Sequence, residues 1–242
     1  MWQERWLPGL TWGADRAPWI TAGSAVSGRA QAGSVKVNVV TPSALAAVML
    51  LILLLPALLS GKERRKMSAK QLTFCAVAMA LALVTSFIKF AKLPMGGSIT
   101  LFSMFFICFI GYLYGAKIGL MTGAAYGILQ LIIDPYIYAP LQVLLDYPLA
   151  FGALGLSGLF HKQKFGLMTG LVAGMAGRYV CHVISGYVYF ASYAPEGMNP
   201  LVYTLGYNAT YILPEMIATV ILVCLPPVAK GLQYVKRMAA EA

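Results

Sequence analysis

Charge is what this chain has least of. Only 11% of its 242 residues are charged while 60% are apolar, where a soluble domain carries about 25% charged residues. That shortage excludes an ordinary water-soluble fold and leaves an all-α, polytopic membrane protein. Acids are scarcer than bases, 8 against 18, for a net charge of +10. Such a surplus can signal nucleic acid, but here the bases sit in short clusters between apolar runs, so they read as topology signals and no nucleic-acid partner is expected. Histidine is almost absent, with His161 and His182 alone, and the cysteines (Cys75, Cys108, Cys181, Cys224) lack metal-type spacing. No metal site, disulfide or cofactor is inferred, and the cysteines, all inside apolar runs, read as buried thiols. No Gly-x-x-x-x-Gly-Lys-Ser/Thr loop occurs, so ATP is not bound by that route.

What is present is a series of apolar runs. Six spans are expected near residues 71–91, 100–115, 117–133, 140–160, 165–190 and 203–228, as a six-helix transmembrane bundle. Residues 1–66 differ from the rest. All four tryptophans (Trp2, Trp6, Trp12, Trp19) fall there, a Gly/Ser/Ala-rich stretch follows, and residues 1–40 carry no helical or strand period, which reads as disorder. An apolar run, Ser43 to Leu59, then ends in Lys62-Glu63-Arg64-Arg65-Lys66 just before Met67. Two readings stay open for it: an extra N-terminal helix, or an annotation overrun with the mature protein starting at Met67. The expected domains are therefore 1–66, an extension, and 67–242, the membrane domain.

Assigned alternately to the two sides, the connecting charges divide unevenly. One side collects the 62–66 cluster, Lys70, Lys117, Lys162, Lys164, Lys230, Lys236 and Arg237; the other holds only Lys89 and Lys92, beside Asp134 and Glu196. Both ends of the six-helix core are expected to be cytoplasmic in a multi-pass cell-membrane protein. Glycines at four-residue steps (Gly115, Gly119, Gly123, Gly127; Gly166, Gly170, Gly174) predict close helix packing. The alanine-rich face of the first span fits either packing inside the bundle or a partner membrane protein.

Polar groups inside the spans are the functional candidates, because an ionised side chain in mid-bilayer costs about 2.5–3.5 kcal/mol on insertion scales. At about 1.5 Å per residue, Asp146 lies about 9 Å, His182 about 12 Å and Asn208 about 8 Å inside the same, outward boundary. His182, Gly186 and Phe190 share a helix face by i, i+4, i+8 spacing, leaving room for a flat ring to stack. Tyr203, Tyr207, Tyr136, Tyr138 and Tyr147 add phenols around the same acid. Arg178 and Glu215 share a depth near the midplane and are expected to form a structural ion pair. Pro214 is expected to kink the last span.

The residues in sequence then support a resemblance. Lys92-Leu-Pro-Met-Gly-Gly-Ser-Ile-Thr100, Pro140-Leu-Gln-Val-Leu-Leu-Asp-Tyr-Pro-Leu-Ala-Phe151, Arg178-Tyr-Val-Cys-His-Val-Ile-Ser-Gly186 and Tyr203-Thr-Leu-Gly-Tyr-Asn-Ala-Thr-Tyr-Ile-Leu-Pro-Glu215 occur in order between Met67 and Arg237. Together they resemble the thiamine-specific S components, the substrate-binding subunits of energy-coupling factor (ECF) transporters. The resemblance implies a non-enzymatic subunit that binds thiamine tightly at the outer face. It would work with a transmembrane coupling subunit and two cytoplasmic ATPases that carry out the hydrolysis. It implies that Asp146 meets the aminopyrimidine and that His182 and Phe190 flank the thiazolium. Tyr136, Tyr147, Tyr203 and Asn208 would complete the pocket, Gly186 would make room, and Ala76 and Ala80 would face the coupling subunit. The chemistry of the residues agrees, since aromatic faces attract a fixed cation and a carboxylate accepts from an amine. Three alternatives remain at this point: an S component for another vitamin or a thiamine precursor, a stand-alone secondary transporter, and an intramembrane enzyme using Asp146 and His182 as acid and base.

Overall fold

The computed structural model describes residues 67–93 and 96–240. The expectations for residues 1–66, including the apolar run, lie outside the described residues. Within them the chain is a bundle of helices: α1 (Ala69–Ser86), α2 (Ser103–Tyr114), α3 (Ala116–Ile133), α4 (Pro140–Phe160), α5 (Gly166–Tyr189), α6 (Pro200–Cys224) and α7 (Pro226–Ala240). Five of them, α1 and α3 to α6, are long and apolar enough to cross a bilayer, and α2 is a shorter apolar helix among them.

Local sequence sets the helix starts. Ser68 caps α1 by accepting from the Gln71 amide while the Gln71 side chain accepts from the Ser68 amide, a reciprocal box that satisfies two otherwise orphaned donors. Asn199 caps α6, with Pro200 at the first helical position, where its missing N–H costs nothing. Between α2 and α3 the chain reverses at Gly115 (φ +87°), a backbone region that a Cβ disfavours.

The glycine steps do what their spacing predicts. A Cβ on Gly123 would lie 2.3 Å from the Phe151 carbonyl oxygen, and one on Gly127 would lie 2.4 Å from that of Tyr147. One on Gly155 would lie 2.1 Å from the Leu120 amide. So α3 meets α4 backbone to backbone, which is how helices gain dispersion contacts where lipid removes the hydrophobic drive. Gly170 and Gly174 bring α5 equally close to the Ser157 and Leu154 carbonyls of α4.

α4 is a composite helix. An α-helical turn (Pro140–Leu144) opens into a π-helical turn (Leu145–Leu149), returns to α geometry at Ala150–Ala153 and tightens to a 3-10 helix over Leu154–Phe160. Pro148 sits inside the wide turn. It has no N–H to donate, and its ring pushes away the carbonyl one turn back, so an inserted residue relieves the clash. The bulge carries Asp146 and Tyr147 and holds them toward the bundle interior.

Three sequence expectations need correction. The first span stops at Ser86, not Ala91. Lys89–Lys92 forms a strand, β1, paired antiparallel with β2 (Ser98–Thr100) in register Lys89↔Thr100, Ala91↔Ile99, Lys92↔Ser98. Apart from Lys89 the residues Phe87–Ala91 are apolar, so mean hydropathy does not mark where the helix gives way to the hairpin. The last span ends at Cys224, because Pro226 and Pro227 start a separate amphipathic helix, α7. The last span, α6, holds Pro214 within it. Finally, Cys75, Cys108 and Cys181 are buried, but Cys224 is exposed at the end of α6.

Candidate functional site

The site is built on the bulge of α4. One turn before Asp146, Gln142 lies on the same helix face and donates from Nε2 to Asp146 Oδ2 at 2.6 Å. From α5, Ser185 Oγ donates to the same oxygen at 2.9 Å, and His182 Nδ1 lies 3.0 Å from Asp146 Oδ1. A carboxylate offers only acceptors, so it draws the imidazole proton to Nδ1 and leaves Nε2 as the acceptor. That Nε2 atom is buried and has no hydrogen-bond partner among the described residues. The protein thus fills three of the acid's roughly four acceptor sites, with an unpartnered ring nitrogen beside it.

Two chambers meet at this acid. The larger, of about 250 Å³, is bounded by the β1–β2 hairpin, α1 to α6 and the 134–139 loop, with Asp146, Tyr147, Tyr136, His182, Arg178 and Glu215 in its wall. The smaller, of about 40 Å³, is lined by Gly186, Phe190, Tyr203, Thr204, Tyr207 and Asn208. Asp146, His182 and Tyr211 border both.

The phenols divide into two kinds. Tyr147 is committed to the protein: its hydroxyl accepts from the Tyr136 amide at 2.6 Å and donates to the Asp134 carbonyl at 2.9 Å. It offers the chamber its ring, and it holds the 134–139 loop in place. Gln142 helps, accepting from the Tyr138 amide and donating to the Tyr136 carbonyl. Phe190, buried at the end of α5, is surrounded by Tyr138, Tyr136 and Tyr193 at centroid distances of 5.3, 6.0 and 6.1 Å. Tyr203 and Tyr207 stack at 6.3 Å along α6.

Two expected site residues also join the helices. A Cβ on Gly186 would lie 2.5 Å from Thr204 Cγ2, so this glycine lets α6 approach α5 while it lines the smaller chamber. Asn208 is engaged at both ends of its amide, donating to the Thr204 carbonyl at 2.9 Å and accepting from the Tyr211 hydroxyl at 2.6 Å. It shapes the wall between the helices.

The expected Arg178–Glu215 ion pair is not formed among the described residues. Glu215 instead accepts from the Thr100 amide at 2.9 Å, from Thr100 Oγ1 and, more weakly, from the Met104 amide. The Arg178 guanidinium lies over the Phe151 ring, 3.8 Å from its centroid, with Nε and Nη1 buried and unpartnered among the described residues. Equal depth gave no information about rotation around each helix axis, and rotation decided which groups met. Both residues line the larger chamber, where one carboxylate ties the hairpin to α6 and one cation faces the cavity.

The hairpin is fastened at a second place. Lys89 forms a hydrogen-bonded ion pair with Asp134, at the end of α3. That bond, with further attraction from Lys89 and Lys92, holds the Asp134 carboxyl below its ordinary range against the opposing effect of partial burial.

Sequence reasoning missed Gln142, Ser185 and Tyr211. Each was detectable by helical spacing: Gln142 is i−4 from Asp146, Ser185 i+3 from His182, and Tyr211 i+3 from Asn208. On the outer surface of α1, Ala76 and Ala80 are exposed while Ala78 and Ala82 pack inward. Among the described residues no cluster of three His, Cys, Asp or Glu side chains could hold a metal ion.

Known proteins resemble this chain. The profile of the thiamine transporter protein family (Thia_YuaJ) matches residues 72–234. The thiamine transporter ThiT of Bacillus subtilis (strain 168) is 38% identical over 166 residues, covering 62% of this chain and 86% of that protein. ThiT of Lacticaseibacillus paracasei is 34% identical over 119 residues, 42% of this chain and 59% of the relative. The solved structure of ThiT from Listeria monocytogenes superposes with a TM-score of 0.56 at 25% identity, covering 65% of this chain and 94% of that one.

Proposed function

The chain belongs to the thiamine transporter protein family, and from that premise we propose that it is the high-affinity thiamine-binding S component of an ECF transporter. The family is one of transporters, not enzymes, and the chain is a multi-pass protein of the bacterial plasma membrane. The observation that supports the ligand most is the carboxylate at the meeting point of the two chambers. Asp146 accepts three hydrogen bonds, from Gln142, Ser185 and His182, and among the described residues no Lys or Arg side chain forms an ion pair with it. A cationic ligand with an amine donor satisfies both its charge and its remaining lone pairs.

In this reading the aminopyrimidine of thiamine sits on Asp146, with the free Nε2 of His182 as a second polar contact. The thiazolium lies between the His182 ring and Phe190, where aromatic faces stabilise a desolvated cation by up to about 2 kcal/mol. Tyr136 and Tyr203 close the aromatic wall, Tyr147 and Asn208 fix its shape, and Gly186 sets the α5–α6 spacing. Ala76 and Ala80 supply a flat outward face on α1 for the transmembrane coupling subunit, which would bring two cytoplasmic ATPases. Residues 67–242 form the ligand-binding domain in this proposal, with residues 1–66 as an extension.

Two measurements test it. Protein purified from cells grown with thiamine should carry one thiamine per chain by native mass spectrometry, and protein from thiamine-starved cells none. Vesicles containing this chain alone should bind thiamine but not accumulate it. Accumulation without partners and without ATP would replace the S-component reading by a stand-alone transporter.

A further inference from the structure

The end of the bundle opposite the acid-lined chambers has its own chemistry. Contacts locate it: Gly119 of α3 lies against Gly111 of α2, Gly158 of α4 against Ala116, and Gly166 of α5 against Phe160 and Tyr112. Met67 packs near Tyr114 and Ile118, and Cys224 of α6 touches Met168 of α5. The helix ends gathered there carry Lys70, Lys117, Lys162 and Lys164, and α7 adds Lys230, Lys236 and Arg237. The acids among the described residues, Asp134, Asp146, Glu196 and Glu215, all belong to the other end or the chamber walls.

α7 organises this basic end. Its inner stripe, Val228, Leu232, Val235 and Ala239, follows helical spacing; Leu232 and Val235 pack against the cluster that contains Phe109. Lys236, itself exposed, reaches to α2, donating to the Tyr112 hydroxyl at 2.7 Å and lying 4.3 Å above its ring. The outer stripe runs Lys230, Gln233, Tyr234, Arg237, all exposed, with Met238 beside it. Tyr234 and Met238, both large, are 66% and 41% exposed among the described residues. Lys164, set over the exposed ring of Phe165, repeats the cation-and-aromatic pairing at the start of α5. Cations alternating with amphipathic rings at the level where spans end match a phospholipid headgroup layer, which is anionic above and apolar below.

We propose that the outer stripe of α7, centred on Lys230 and Arg237, is a binding site for anionic phospholipid headgroups. The cations take the phosphates while Tyr234 and Met238 enter the acyl boundary beside them. An acidic protein would answer the charge but would leave Tyr234 and Met238 facing polar surface, so lipid is the occupant that fits both features. The inference does not depend on which ligand fills the chambers.

The test uses the full chain reconstituted in nanodiscs of mixed phosphatidylcholine and phosphatidylglycerol, with retained lipids counted by native mass spectrometry after mild extraction. The wild type should retain phosphatidylglycerol in preference to phosphatidylcholine. K230Q/R237Q should lose that preference, by about fivefold for each cation removed, and K230R/R237K should restore it. K92Q, at the opposite end, should leave it unchanged, and the melting temperature of every variant reports that the fold is intact. Equal retention of the two lipids by the wild type, an unchanged preference in K230Q/R237Q, or an equal loss in K92Q would overturn the proposal.

Discussion

Replacing Asp146 by Asn removes one charge from the chamber and almost no volume. In the unliganded protein the carboxylate accepts from Gln142, Ser185 and His182. An amide can accept at one atom only, so it sets its own –NH₂ against a neighbouring donor on one side. Ser185 can rotate and His182 can change tautomer to relieve that conflict. The lost hydrogen bonding, about 1–3 kcal/mol, is also offset because a buried charge has gone. Stability should therefore move little. Binding should move much more. A thiazolium about 6 Å from the carboxylate, at an effective dielectric of about 20, is attracted by about 3 kcal/mol, or roughly two orders of magnitude in Kd. Isothermal titration calorimetry is the suitable assay, since all four tryptophans lie in the first twenty residues and cannot be relied on to report the chamber. A neutral aminopyrimidine without the thiazolium separates the two contributions: it should lose only the hydrogen-bond share. The reasoning is refuted if Asp146→Asn, melting near the wild-type temperature, binds thiamine within about threefold of it.

Phe190→Ala should weaken thiamine by up to about 2 kcal/mol, roughly thirtyfold, and weaken the neutral aminopyrimidine much less, as read in parallel titrations. Gly127→Ala places a Cβ 2.4 Å from the Tyr147 carbonyl oxygen and should cost about 1–3 kcal/mol in a thermal melt, while displacing the π-helical turn and with it ligand affinity. Gly206→Ala, with open space around the added methyl, should melt at or slightly above the wild-type temperature. Glu215→Ala leaves the Thr100 and Met104 donors without their acceptor and should raise the thiamine dissociation rate by freeing the hairpin, measured by ligand chase, with Glu215→Gln falling between. Asp134 is held at a lowered pKa by Lys89, so its contribution to hairpin closure is present at neutral pH and is lost as pH falls through that lowered value. Asp134→Asn should abolish this pH dependence of the dissociation rate, with an effect at neutral pH of at most about 1 kcal/mol because the pair is largely exposed.

Much of the architecture was readable because lipid simplifies the code. Apolar length gave the spans, four-residue glycine steps gave close helix packing though not its partners, and depth counting brought Asp146 and His182 to one level. Depth has no angular coordinate, however, so it paired Arg178 with Glu215 when rotation sends one to Phe151 and the other to Thr100. The hairpin escaped because Phe87–Ala91 is as apolar as the helix before it. The bulge at Pro148 escaped for a different reason: a proline in an apolar run signals a disturbed helix but not which way the inserted residue turns its neighbours. α7 is amphipathic and basic, so a search for long apolar runs passes over it. The hydrogen-bond partners Gln142 and Ser185 lay within one helical turn of residues already singled out. They were missed because attention went to charge and rings, not to the amide and hydroxyl groups that hold an acid in place.

The central claim is the pose: a cationic vitamin whose aminopyrimidine rests on Asp146 and whose second ring is held between His182 and Phe190. A structure of the full chain with thiamine bound tests it most directly. The expected result is ligand density in the chambers, with the amine within hydrogen-bond distance of the Asp146 carboxylate and the thiazolium between those two rings. Thiamine ordered elsewhere in the molecule, with the contacts of Asp146 to Gln142, Ser185 and His182 undisturbed and the chambers empty, would contradict it.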